Sequence, residues 1–342
     1  MSKKAKTFAA LLETNKKAIS KFYYKYIFLI IIFGTILLGI IFYKLGAHIV
    51  LFGDTTAALG EYVRTVATVL GGALVLLGLW INNRRVAEQT RQNNINERGQ
   101  INTRFKDAAT LLGSDSVSSI LSGIYALHQI ALETSIGDKG QRGYVNIIQD
   151  ILCAYVRENT DTIQNEENGK AWRINKKPTI VIQTIVKVLF KNDKQVYSNL
   201  MTDLSDCVLE GINLDESYIA NVDFSRTKFI KSSFKNATFV SCYLEDAFID
   251  EVDFSGSSFD KTVFDLSHIK NTSFSKGRIS HSDFWNVVFH HVSFKDTLLD
   301  NIDFKDADME DAVNFENTKL GGYSLDEIKA QSATITKKVE IS

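Results

Sequence analysis

The sequence predicts a chain in three parts: an α-helical membrane hairpin, an α-helical connector and a β-solenoid. Three observations carry this. Two uncharged apolar runs lie within the first 83 residues, amphipathic stripes at helical spacing mark residues 105–156, and from Leu204 to Met309 every fifth residue is Leu, Ile, Phe or Met. The composition agrees. With 342 residues, 45% hydrophobic content and 22 Phe, the chain has enough apolar surface for a compact core, which excludes intrinsic disorder. A single Pro favours long uninterrupted elements, and the formal net charge of -1 excludes the global electrostatics of a nucleic-acid-coating protein. Charge is unevenly placed, however: residues 201–320 carry 22 Asp/Glu against 11 Lys/Arg, whereas residues 1–200 carry 25 Lys/Arg against 15 Asp/Glu.

The chain starts with a basic segment, residues 1–25, holding seven Lys and one Glu. Residues 26–83 then read as a two-span hairpin. Residues 26–43 are uncharged between Lys25 and Lys44, and as a helix would measure about 27 Å, close to the thickness of a hydrocarbon core. A second uncharged run, Thr65 to Asn83, lies between Arg64 and Arg84–Arg85, with Trp80 at one boundary where an interfacial indole is expected. Positive charge flanks the outer ends of the pair while the segment from Lys44 to Arg64 is neutral overall, so both termini are expected on the cytoplasmic side. Ala67 with Gly71, and Thr68 with Gly72, put small residues on one helix face, suited to close packing of the two spans or of two protomers.

Residues 84–200 read as a helical stalk and connector. Arg84 to about Asn102 is polar with sparse apolar positions and suits a solvated helix. Phe105, Ala108, Ala109 and Leu112 mark a first amphipathic helix, Ile120 to Ala131 a second and Val145 to Val156 a third. Gly113-Ser114-Asp115 separates the first two, combining a terminal glycine with N-cap residues. Asn159 to Gly169 reads as a surface loop, and Thr179 to Phe190 as a buried helix placed to cover the open end of the solenoid.

The solenoid spans residues 201–322. Twenty-two consecutive central positions are apolar, and two residues before each lies a small or β-branched residue such as Thr202, Cys207, Ala237, Cys242 or Gly277. A period of five suits neither an α-helix nor a simple strand. The register slips by one near Asn314, where Val313, Phe315, Thr318 and Leu320 restore the pattern. Ser324-Leu325-Asp326-Glu327 has the form of a capping box, so residues 323–342 are expected to supply a cap helix and, from Ala333, a tail.

This pattern resembles the pentapeptide-repeat family. The resemblance implies a right-handed quadrilateral β-helix with four pentapeptides per coil, so that residues 20 apart stack. Leu214, Phe234, Phe254, Phe274 and Phe294 would form one interior ladder, and Leu204, Phe224, Leu244, Phe264, Phe284 and Phe304 another, in a rod roughly 26 Å long at the usual strand spacing. Arg104-Phe105, Leu112-Gly113-Ser114, Gly123 to Leu127 and Ala154 to Arg157 resemble the helical segment that joins a transmembrane pair to the repeats in bacterial membrane-anchored members. That resemblance implies a two-pass protein of the bacterial inner membrane.

Catalytic residues, metal ligands and cofactors are not expected. No nucleophile motif or glycine-rich phosphate loop occurs, and no two of the six His are 20 residues apart, so none stack on one face of the array. Three scattered Cys suit a reducing compartment, with Cys207 and Cys242 in small inward positions. The expected function is a non-enzymatic membrane-anchored interaction module, a scaffold presenting an acidic β-helix to a cytoplasmic protein, with no direct nucleic-acid binding and with self-association through the spans open. Two alternatives compete: an oligomerising effector that permeabilises the inner membrane, of cell-suicide or phage-defence type, and a DNA mimic that binds a topoisomerase. At this level the binding side of the β-helix is open.

Overall fold

The structure is a computed structural model that describes residues 26, 30, 32–136, 143–160, 162–167, 170–175, 179–321 and 334–335. It divides into two compact units, Met1–Gly99 and Gln100–Ser342. In the first, helix α1 (Ile32–Lys44) is followed by the short α2 (Ala47–Phe52) and by α3, Thr56–Leu112, whose 57 residues run through the division between the units. Gly46 (φ +69°) and Gly53 (φ +98°) make the two breaks on either side of α2, in backbone conformations that favour glycine. Among the described residues only α3 is long and apolar enough to cross a membrane, and no residue of its apolar window is buried. This revises the sequence reading twice. The neutral segment that joins the two apolar runs is helical over most of its length, with His48 in α2; and the second run, the stalk and the first connector helix form one continuous helix from Thr56 to Leu112.

A Cβ on Gly39 of α1 would lie 3.6 Å from Tyr62 and Val66 of α3, and the Tyr62 hydroxyl donates to the Gly39 carbonyl. An apolar groove of about 620 Å³ runs beside this contact, with Ala67 in its lining. Gly71 and Gly72 have nothing within 4 Å of where a side chain would start, and Thr68 Oγ1 donates back to the Arg64 carbonyl. Among the described residues the close approach of α1 to α3 is made at Gly39, not at Gly71 or Gly72.

In the second unit, the end of α3 packs with α4 (Val117–Ser135), α5 (Gly143–Thr160) and α6 (Thr179–Phe190). Gly123 explains how closely α4 sits on α3: a Cβ there would lie 2.6 Å from the Leu112 amide and 2.8 Å from the Ala108 carbonyl. Arg104 clamps the pair through two hydrogen bonds to Glu133, at 2.7 and 3.2 Å. The N-cap of α4 is Ser116, one residue beyond the Gly113–Asp115 signal. The connector is also not all helical. The stretch read as a loop holds strand β1 (Thr162–Glu167), which pairs antiparallel with β2 (Lys170–Asn175); its polar residues conceal the hairpin because neither strand carries a run of apolar alternation.

From Thr202 to Gly321 the chain forms a right-handed β-solenoid of about six turns. Two sides are well-formed parallel sheets, one from Val208–Glu210 to Asp308–Asp311 and the other from Tyr218–Ala220 to Lys319–Gly321; the remaining two are held by shorter strands and single bridges. Partners lie 20 residues apart, as in Phe239 opposite Phe259 and Phe259 opposite Ile279, until the slip, after which Leu299 faces Leu320 and Ser293 faces Asn314 at a spacing of 21. One residue is thereby inserted at the corner marked by Ala312 (φ +40°). Thr334–Ile335, in the part read as a tail, pairs with Asp308–Met309; the cap helix expected before it lies outside the described residues.

The interior is aromatic. Phe224, Phe234, Phe254, Phe264, Phe274, Phe284, Phe294 and Phe304 are all buried, and rings one coil apart stack nearly parallel: Phe264 on Phe284 at 4.6 Å, Phe274 on Phe294 at 5.2 Å and, across the slip, Phe294 on Phe315 at 5.2 Å. Such offset stacks add to the gain from burial. Small residues occupy the other inward position because backbone crowds it: a Cβ on Gly277 would meet the Ser257 carbonyl at 2.7 Å.

Candidate interaction face

Up to the slip, each corner of the solenoid turns on a left-handed residue two places after the central one, from Asp206 (φ +58°) and Glu216 (φ +60°) through Asn301 (φ +53°) and Asp306 (φ +57°). Together with the 20-residue coil, these corners assign each outward side chain to one of four sides, according to the pentapeptide that carries it. The side built on Leu204, Phe224, Leu244, Phe264, Phe284 and Phe304, here the first side, carries nine acidic residues, Asp203, Asp206, Asp223, Glu245, Asp246, Asp265, Asp283, Asp303 and Asp306, against Arg226 and Lys305. Among the described side chains the other three sides, in chain order, carry four acidic residues against three basic, five against three and two against three. Of the solenoid's net -11, the first side therefore holds -7.

Near the start of this side Arg226 neutralises Asp206 through two hydrogen bonds of 2.7 and 2.8 Å, which hold the Asp206 carboxyl below the usual carboxylate range. Farther along, the acids face one another. Asp283 lies opposite Asp303 in the parallel register. Burial, reinforced by Asp303, pushes the Asp283 carboxyl up; burial likewise pushes up Asp265, against a hydrogen bond from the Trp285 amide and with further repulsion from Asp283, Glu245 and Asp303. Carboxylates this close disfavour each other's ionisation, so this stretch holds unneutralised negative potential.

No group of His, Cys, Asp or Glu among the described residues has the arrangement of a metal site. His281 bonds Asp260 at 3.0 Å, and the adjacent rings of His290 and His291 meet edge to face at 4.4 Å. His128 is half-buried on α4, 3.2 Å from the Tyr197 hydroxyl, and burial lowers its pKa. Cys153, Cys207 and Cys242 are buried and free, and burial pushes each thiol up to about 12, which leaves them as unreactive packing groups. These His and the buried thiols thus have structural surroundings. The first side was missed by reasoning from total charge alone; sorting outward residues modulo 20 would have found it.

Residues 202–286 match the family model for pentapeptide repeats, in eight copies. No curated protein matches the chain. Solved structures similar to the repeat region include a plasmid-mediated fluoroquinolone resistance protein (15% identity, 42% of this chain and 76% of that one, TM-score 0.22). Another is a pentapeptide repeat protein involved in heterocyst differentiation regulation from the cyanobacterium Nostoc (12% identity, 35% and 71%, TM-score 0.20). A third is a pentapeptide repeat protein from the thylakoid lumen of Arabidopsis thaliana (15% identity, 36% and 70%, TM-score 0.19). The class defined by these repeats and by the fold is a pentapeptide-repeat β-solenoid carried behind a helical region, and no enzyme family matches it.

Proposed function

We propose that this protein is a non-enzymatic interaction module of the bacterial inner membrane, anchored through its apolar N-terminal helices with both termini cytoplasmic, whose solenoid docks a cytoplasmic protein on its first side. The observation that carries this reading is the charge asymmetry: one side holds -7 while the last side of each coil carries a slight positive excess. Acidic residues kept only for solubility would be spread around the rod, because hydration of a surface is indifferent to which side bears the charge. A stiff flat side with concentrated charge instead gives specificity and fast association with a complementary partner.

Crosslinking and affinity purification of the full chain from native membranes tests this. A stoichiometric partner is expected, lost when Asp265, Asp283 and Asp303 are changed together to Lys and retained when Asp253 and Asp296 of the third side are changed. Equal retention in both variants, or a large homo-oligomer without another protein, overturns the reading, the latter in favour of a membrane effector; capture of a topoisomerase would favour the DNA mimic.

A further inference from the structure

Among the described residues of the solenoid three large apolar side chains are exposed, Tyr243, Leu266 and Trp285, and all three lie on the acidic side. They occupy successive coils. Leu266 donates its amide to the Trp285 carbonyl at 2.9 Å, and Tyr243 is bridged through Val263 to Asp283 in the next coils. Trp285 is seated between acids of the coils on either side: its amide donates to Asp265 at 3.0 Å and its indole to Asp306 at 3.3 Å.

We infer that Tyr243, Leu266 and Trp285 form the docking centre for a cationic protein segment that carries an apolar or aromatic anchor of its own. The inference rests on the docking function proposed above and names the chemistry of its partner. Three large apolar groups on successive coils of one side each keep about two fifths of their surface exposed, and Trp and Tyr within a polar rim are the composition of interface hot spots. The acids around them decide the occupant by charge complementarity. A nucleic acid is repelled, and a second copy meeting this side face to face would bring nine acids against nine. A Lys- or Arg-rich segment satisfies the rim, and its apolar residue covers the patch.

The test places the photocrosslinker p-benzoylphenylalanine singly at Tyr243, Leu266 and Trp285, and at Lys270, Lys276 and Lys261 on the other three sides, in the full chain in native membranes, with the crosslinked peptides sequenced. Adducts are expected from the first three positions, mapping to a net-positive segment with a large apolar residue. The Tyr243 adduct should fall about tenfold in the Trp285→Ala variant. Leu266→Gln, a change at an exposed position, gives the same reading should Trp285→Ala fail to fold. Adducts that map to neutral or acidic segments, to nucleic acid or to this chain overturn the inference, as does a Tyr243 adduct unchanged in both variants. Adducts from the first three positions to a neutral or acidic protein segment overturn it while leaving docking on the first side standing, whereas adducts from another side alone, or none from any side, overturn both.

Discussion

Leu266 holds φ +60° at an exposed corner, whereas Asn, Asp or Gly stand at about half of the solenoid's corners, for example at Asn221, Asn271, Asn286 and Gly256. A branched side chain in this conformation costs about 1 kcal/mol relative to residues that tolerate it. Leu266→Asn should therefore stabilise the solenoid by about 0.5–1 kcal/mol in chemical denaturation, while removing part of the proposed docking patch. At Asp283 the sign of the pH dependence follows from its raised pKa. The folded state holds the proton to a higher pH than the unfolded chain does, so stability falls as pH rises from the ordinary carboxylate value through the raised one. Asp283→Asn should accordingly be slightly more stable than the parent at neutral pH, with the difference closing as the pH falls through that window, read from thermal unfolding at a series of pH values. Both residues are visible in the sequence only as one more outward position; their conformation and neighbours come from the coil.

Helices α5 and α6 close the first coil, and their contacts explain why a solenoid can start here. Gln149, buried on α5, donates to the Thr202 hydroxyl at 2.5 Å, and Arg157 reaches Asp203. Gln183 of α6 both donates to the Asn213 carbonyl at 2.8 Å and accepts from its amide at 2.7 Å, so it takes the place that a preceding coil would fill. Phe190 then meets Phe224 of the interior at 6.3 Å. Gln149→Ala should cost about 1–3 kcal/mol, because it leaves the buried Thr202 hydroxyl without a partner, and denaturant titration of the full chain measures it. The apolar stripe of Thr179–Phe190 announces a buried helix, and its position before the repeats announces a cap. The hairpin β1–β2 was not legible, since its strands lack the alternation by which a strand is read.

Within the second unit a single buried cluster runs from Ile101 in α3 through α4, α5 and α6 to Phe315 in the last coil. Its apolar packing is continuous across the junction of α5 and α6 with the first coil, so the helices and the coils should unfold together rather than in succession. Phe264, buried and stacked on Phe284, sits within this column. Phe264→Ala should cost about 3–5 kcal/mol and Phe264→Leu clearly less, with far-ultraviolet dichroism and Trp285 fluorescence shifting along one common transition. Two separate transitions would show that the cap and the solenoid are independent.

The five-residue apolar period determined by itself that residues 204–309 coil, and which residues fill the interior, because only a turn of fixed length can bury one residue in five without exception. The amphipathic stripes likewise determined the helices that precede it. Tertiary structure alone decided what depends on contacts between distant segments: Gly39 as the point where α1 meets α3, Gly123 as the point where α4 meets α3, and the single residue inserted at Ala312 that keeps Phe315 stacked on Phe294. It also decided which acids stand side by side. Asp283 and Asp303 repel, and Trp285 lies between Asp265 and Asp306, only because the coil closes after 20 residues and brings remote carboxylates within reach of one another.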